Sequence, residues 1–265
     1  MAEVQLVSGQ ASFEFGGGRR NVPVQFHNAS TNDNASARLR CRLYQTSSGA
    51  AIPVEPAVDW KSITVGPGQT LMAEVECNLP VVRAASTFQL YWHDGDRKLG
   101  TTAIRVFPEG LLQPLSSVTP IGLVDPTGRF TNALNGVGFQ LLAEAGEISA
   151  FDGKLILVAP WSGPDSIAGL AGTLKRKANA GTGVVWIQPA RPAGLDPVST
   201  AYVVEQGDGR LVVAQESLVR NLASSLPSQL RLIELTELAL GQKKLGWPGE
   251  QHSTSLTQDS NINKQ

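Results

Sequence analysis

The sequence predicts a chain of two parts, an all-β sandwich followed by an open, mostly parallel α/β sheet. Three observations lead there. Residues 11–108 hold about seven short runs in which apolar and polar residues alternate, separated by turns rich in Gly, Asn, Pro and Ser. Residues 118–245 instead alternate continuous apolar runs with stretches of helical spacing. Between the two lies PEGLLQPLSSVTP (108–120), which reads as a linker. The expected units are 1–110 and 118–247, with the polar, aperiodic stretch 248–265 as a disordered tail.

In the first half the strand candidates are ASFEF (11–15), NVPVQFHN (21–28), ARLRCRLYQT (37–46), VDWKSITV (58–65), QTLMAEVECNLP (69–80), TFQLYWHD (87–94) and LGTTAIRVF (99–107). GGGRR, NASTNDNAS, QTSSGAAIP, VGPGQ and HDGDRK fall between them as turns, and Asp94-Gly95 marks a tight hairpin. That strand count and spacing suit a sandwich of immunoglobulin type. The opening string EVQLV is a misleading likeness to an antibody variable domain, because no Trp follows shortly after Cys41. Cys41 and Cys77 are in phase with the apolar residues of their runs, so both thiols are expected to face the core, as two free thiols or as one bridge.

In the second half IGLVD (121–125), FQLL (139–142), KLILVAP (154–160) and GVVWIQP (183–189) read as strands. RFTNALNGVG is a short helix candidate. A longer helix starts after Ser162, Pro164 and Asp165, places Ile167, Leu170, Ala171, Leu174 and Ala178 on one face, and ends at Gly181 or Gly183. AYVVEQGDGRLVVAQ (201–215) reads as a hairpin, and SLVRNLASSL and PSQLRLIELTELAL as two closing helices. Strand-helix alternation implies helices on both faces of the sheet.

Composition narrows the function. The net charge of −1 sets up no strong field for nucleic acid or an anionic membrane. No apolar run approaches the roughly 18 residues of a membrane span. MAEVQLVSGQ lacks the basic and apolar regions of a signal peptide, and the compartment stays open. No histidine occurs between His93 and His252 and no cysteine after Cys77, so the α/β half has neither Cys-His nor Ser-His chemistry available.

Open α/β sheets bind ligands beyond the carboxyl ends of their strands. Asp125, Trp161, Ser162, Gln188, Arg191, Gln215 and Glu216 belong there. Asp125 and Glu216 could form a carboxylate pair; alternatively Asp125 opens a turn before Pro126 and Glu216 favours a helix N-terminus. GxxxxGK[ST] and GxSxG are absent, and Gly136-Val137-Gly138 fails GxGxxG at its third glycine. His93-Asp94-Gly95-Asp96 is the best local ligand cluster, and a turn accounts for it; no metal or cofactor is expected. Asn28-Ala29-Ser30 and Asn34-Ala35-Ser36 match glycosylation sequons. Of Trp60, Trp92, Trp161, Trp186 and Trp247, Trp186 is expected in the core, and either Trp92 or its neighbour Tyr91 is expected outside.

VPVQFHN, LRCRLYQTSSGAAIP, VGPGQTLMAEVECNLP and the closing AIRVFP are similar to the immunoglobulin-like modules of large multidomain glycosidases. IGLVDPTGRFTNAL, LILVAPW, AGTGVVWIQ and GDGRLVVAQESL resemble the class I glutamine-amidotransferase-like, flavodoxin-like domain that follows. Together, over about residues 11–245, the order of parts resembles the C-terminal accessory region of family 2 and family 42 β-galactosidases. True amidotransferases place a cysteine at a strand-to-helix turn, with His and Glu later. Here Pro189-Ala190-Arg191 follows the fourth strand, so no catalytic residue carries over. The resemblance implies a non-catalytic accessory or assembly protein whose partner is a second copy of itself or a larger glycosidase. Two readings of other classes stand beside it: a carboxylate-based hydrolase at Asp125 and Glu216, and a module that binds carbohydrate through exposed aromatics.

Overall fold

The computed structural model describes residues 2–7, 9, 11–47, 49–160, 167–189 and 201–241. The chain is β-rich and two-part. Its first part comprises β1 (Val4–Leu6), β2 (Ser12–Phe15), β3 (Gly18–Asn28), β4 (Ala35–Ser47), β5 (Ala50–Pro53), β6 (Val58–Val65), β7 (Thr70–Leu79), β8 (Ser86–Asp94) and β9 (Arg97–Phe107). One sheet has the order β1-β3-β7; the other runs β2-β9-β8-β4-β5, with β6 also on β4. Both sheets point their apolar sides at one core. Val22, Val24, Phe26, Val75, Cys77 and Leu79 come from the first sheet, and Leu39, Cys41, Leu43, Phe88, Leu90, Trp92, Ile104 and Val106 from the second. Trp92 is fully buried; Phe26 and Trp60 each meet it edge-on with ring centres 5.2 Å apart. Tyr91 lies on the opposite face, half-buried. Cys41 and Cys77 are buried and free.

The second part begins earlier than the linker reading allowed. Gln113–Val118 forms a 3-10 turn, and Leu111, Leu112, Leu115 and Val118 are buried in the core of the second sheet. There follow β10 (Ile121–Val124), α1 (Arg129–Ala133), β11 (Phe139–Leu141), α2 (Ala145–Ala150), β12 (Leu155–Val158), α3 (Ile167–Asn179), β13 (Gly183–Gln188), β14 (Ala201–Gln206), β15 (Gly209–Gln215) and α4 (Leu226–Leu240). The sheet order is β11-β10-β12-β13-β15-β14, parallel throughout except for the antiparallel edge strand β14.

The apolar runs sort by period 2 into two cores, one on each face. Ile121, Leu123, Leu155, Leu157, Val185, Ile187, Val212 and Ala214 face α1 and α4. Val124, Ile156, Val158, Val184, Leu211 and Val213 face α2 and α3. Gly122 lies on the second face, where an added Cβ would come within 2.6 Å of Leu142 Cδ1 and make that side chain shift. No described helix is long and apolar enough to cross a membrane.

Several expectations are corrected. Gly18-Arg19-Arg20, read as part of a turn, opens β3. Val4–Leu6, set aside with EVQLV, pairs antiparallel with Phe26–Asn28. Ala50–Pro53, read as a turn, pairs with the end of β4. Helix α2 was not expected; a reciprocal capping box between Glu144 and Glu147 nucleates it. SLVRNLASSL is not a helix. Only Glu216–Val219 forms a 3-10 turn, and Asn221 then takes a left-handed φ of 58° that no continuing helix tolerates. Asn28 cannot serve as an open acceptor in the folded chain: it is fully buried, and its Nδ2 donates to the carbonyls of Asp33 at 2.8 Å and Val65 at 2.9 Å.

Candidate functional site

The carboxyl ends of β10, β12, β13 and β15 bring together Asp125, Pro160, Gln188, Gln215 and Glu216. Trp161, Ser162 and Arg191 lie outside the described residues. Gln188 and Gln215 are register partners on adjacent strands and are half-buried.

Asp125 carries the densest set of hydrogen bonds among these residues. Its Oδ2 accepts from the backbone N–H groups of Phe130 and Thr131, both at 2.8 Å, and from the Thr131 hydroxyl at 3.0 Å. Its Oδ1 accepts from the Arg129 N–H at 3.1 Å and the Thr127 hydroxyl at 3.3 Å. Its carbonyl accepts the Gly128 N–H at 3.2 Å, closing the Asp125-Pro126-Thr127-Gly128 turn, in which Gly128 has a φ of 69°. The first N–H groups of a helix have no intrahelical partner, and here one carboxylate collects them.

Arg129 links Asp125 and Glu216, giving its backbone N–H to Asp125 and its guanidinium to Glu216. Beside this ion pair a cleft of about 460 Å³ opens, lined by Arg129, Phe130, Pro160, Glu216 and the loop Val219–Ala223. Side chains from α4 hold that loop. Ser228 Oγ donates to the Arg220 carbonyl at 2.5 Å, and Gln229 Nε2 to the Leu222 carbonyl at 3.0 Å. Sequence reasoning missed Arg129, Arg220 and Asn221. The one available signal was the spacing of Asp125 to Arg129, four residues across a Pro-Thr-Gly turn; Arg220 and Asn221 were hidden inside an expected helix.

Chemically, the cleft offers cations and one paired carboxylate. Asp125 does not line it. Among the described residues no group of three or more His, Cys, Asp or Glu side chains could hold a metal ion. In the His93-Asp94-Gly95-Asp96 hairpin, Asp94 accepts from the Arg38 N–H at 3.0 Å and from Arg97 at 3.3 Å.

No protein-family model matches the chain, and no curated protein matches it. Among solved structures, a β-glucosidase from Listeria innocua in complex with glucose is similar at 13% identity, covering 40% of this chain and 16% of that one, with a TM-score of 0.29. A β-glucosidase from Kluyveromyces marxianus in complex with glucose is similar at 12% identity over 40% of this chain and 14% of that one, with a TM-score of 0.29. The alkylpurine DNA glycosylase AlkC of Pseudomonas fluorescens, bound to DNA containing an abasic site analog, is similar at 12% identity over 40% of this chain and 30% of that one, with a TM-score of 0.28. This chain thus spans well under two thirds of each of them, and at these TM-scores the likenesses carry no argument about function.

Proposed function

We propose that this chain is a non-catalytic accessory or assembly unit, of the kind that follows the catalytic domain in multidomain glycosidases. On this reading residues 1–110 are an immunoglobulin-like module and the α/β part that follows, with Leu111, Leu112, Leu115 and Val118 in its core, is an amidotransferase-like domain that has lost its chemistry. The strand order β11-β10-β12-β13-β15 supports the second assignment, since it follows the flavodoxin-like order. The observation that carries the proposal is the condition of Asp125. Its oxygens accept four hydrogen bonds from the start of α1 and one from Thr127 in the turn before it, so the carboxylate is occupied at the position where this architecture usually places a reacting group. The role proposed is association, and both edges of the α/β sheet suit it. Leu141 is exposed on edge strand β11, and Tyr202 and Val203 on edge strand β14.

Light scattering of the purified chain, alone and mixed with a barrel-containing glycosidase, tests the proposal, together with glutaminase and esterase assays. Self-association or a stable complex, with no turnover, is expected. A strict monomer that ignores the glycosidase, or turnover abolished by Glu216→Gln, overturns it, the latter in favour of a carboxylate hydrolase.

A further inference from the structure

The outer face of the larger sandwich sheet carries a cluster of basic side chains. Arg40, His93 and Lys98 are successive register partners across β4, β8 and β9. Arg38 and Arg42 flank Arg40 on β4, pointing the same way. Basic side chains thus recur about 5 Å apart across the strands, and arginines about 7 Å apart along β4. Asp59 is shared, reaching Arg38 at 3.3 Å and Arg40 at 3.9 Å. Arg42 donates to the Glu55 carbonyl at 2.9 Å, not to its carboxylate. Beside them Arg40, Arg42, Tyr44 and His93 line a cleft of about 370 Å³, and Asp96 in the hairpin turn is the one carboxylate at its rim.

Two tyrosines organise this face. Tyr44 and Tyr91 pack with ring centres 4.6 Å apart. Lys98 Nζ lies 4.6 Å from the centre of the Tyr91 ring, and Arg42 Cζ lies 5.5 Å from that of Tyr44. Each ring thus contacts one cation and the other ring, which engages part of its surface. Single-stranded nucleic acid needs free aromatic faces on which bases stack. An anionic chain without bases needs only the ordered cations.

We propose that this face binds an acidic glycan, a carboxylated or sulfated oligosaccharide, with Arg40, Arg42, His93 and Lys98 as its anion contacts. The inference is independent of the accessory role, which concerns the α/β sheet and its partners.

Calorimetric titration of the full chain at physiological salt, with a sulfated hexasaccharide, a galacturonate hexasaccharide, neutral cellohexaose and a short oligothymidylate, tests it. Saturable binding of at least one acidic glycan is expected, with cellohexaose silent and the oligothymidylate weaker. Each exposed anion contact is worth about threefold in affinity, so Arg40→Gln with Lys98→Gln should weaken binding about tenfold. Arg19→Gln, on the opposite sheet and paired with Glu76, should leave it unchanged. Circular dichroism of each variant shows that it is folded. No acidic-glycan binding, equal losses in the double variant and in Arg19→Gln, or tighter binding of the oligothymidylate would each overturn the proposal, the last in favour of a nucleic-acid surface.

Discussion

Asp125 and Thr131 are joined twice: Asp125 Oδ2 accepts from the Thr131 backbone N–H at 2.8 Å and from its hydroxyl at 3.0 Å. With the bonds from Arg129 and Phe130, this makes a single carboxylate the start of helix α1 and fixes Arg129 against Glu216. A residue at the carboxyl end of a strand thus caps the helix that follows it.

The first prediction follows directly. Asp125→Ala should lower stability by about 1–2 kcal/mol, as expected for losing a helix cap, and Asp125→Asn by less, because one oxygen remains to accept. Urea unfolding with an unchanged slope measures it. Full stability in Asp125→Ala would show that the network contributes nothing to the fold.

Asn28 supplies a sharper case. Its amide donates to three carbonyls, of Asp33, Val65 and Gly66, and its Oδ1 accepts the Ser30 N–H at 3.0 Å. Asn28→Asp would place an oxygen, charged at neutral pH, against those carbonyls, at a cost of about 3 kcal/mol or more. Burial and the carbonyls would raise the new carboxyl's folded pKa above the unfolded value near 3.9. The variant should therefore be most stable below that value and lose stability as pH rises through the folded pKa. Thermal melts from pH 3 to 8 decide it, and a variant whose deficit is independent of pH contradicts the argument.

The two thiols report on the sandwich core. Burial pushes Cys41 up from 9.0 to about 11. Burial, and then the charge of neighbouring Cys41, push Cys77 up from 9.0 to about 12. At neutral pH both are protonated, so native labelling by a thiolate-selective reagent should be far slower than labelling in denaturant. A raised folded pKa contributes stability that is full below pH 9 and lost as pH rises through 11 to 12. Replacing both by Ala should flatten that alkaline decline. Rapid labelling of either thiol in the native chain would mean that the core is open there.

Much of the architecture was legible because burial imposes a period. The alternating runs around Cys41 and Cys77 and the continuous runs LILV and GVVWIQ need one and two apolar environments respectively, and the structure provides them. Elements with little period of their own were missed. Val4–Leu6 and Ala50–Pro53 are short edge segments whose pairing is decided by the long strands beside them. SLVRNLASSL has helical spacing, yet Ser228 and Gln229 of α4 claim its Arg220 and Leu222 carbonyls and hold it as a loop.

The division at the candidate site has the same cause. By itself the sequence determined that the α/β half has no thiol or imidazole chemistry, and that Asp125 and Glu216 stand at strand ends. Both follow from composition and local pattern. Only the tertiary structure decided that Asp125 spends its oxygens on α1, that Arg129 reaches from Asp125 to Glu216, and that Arg40, His93 and Lys98 line up across three strands. Those facts depend on which distant segments meet, and in sheets that is set by register and packing rather than by any one strand's own residues.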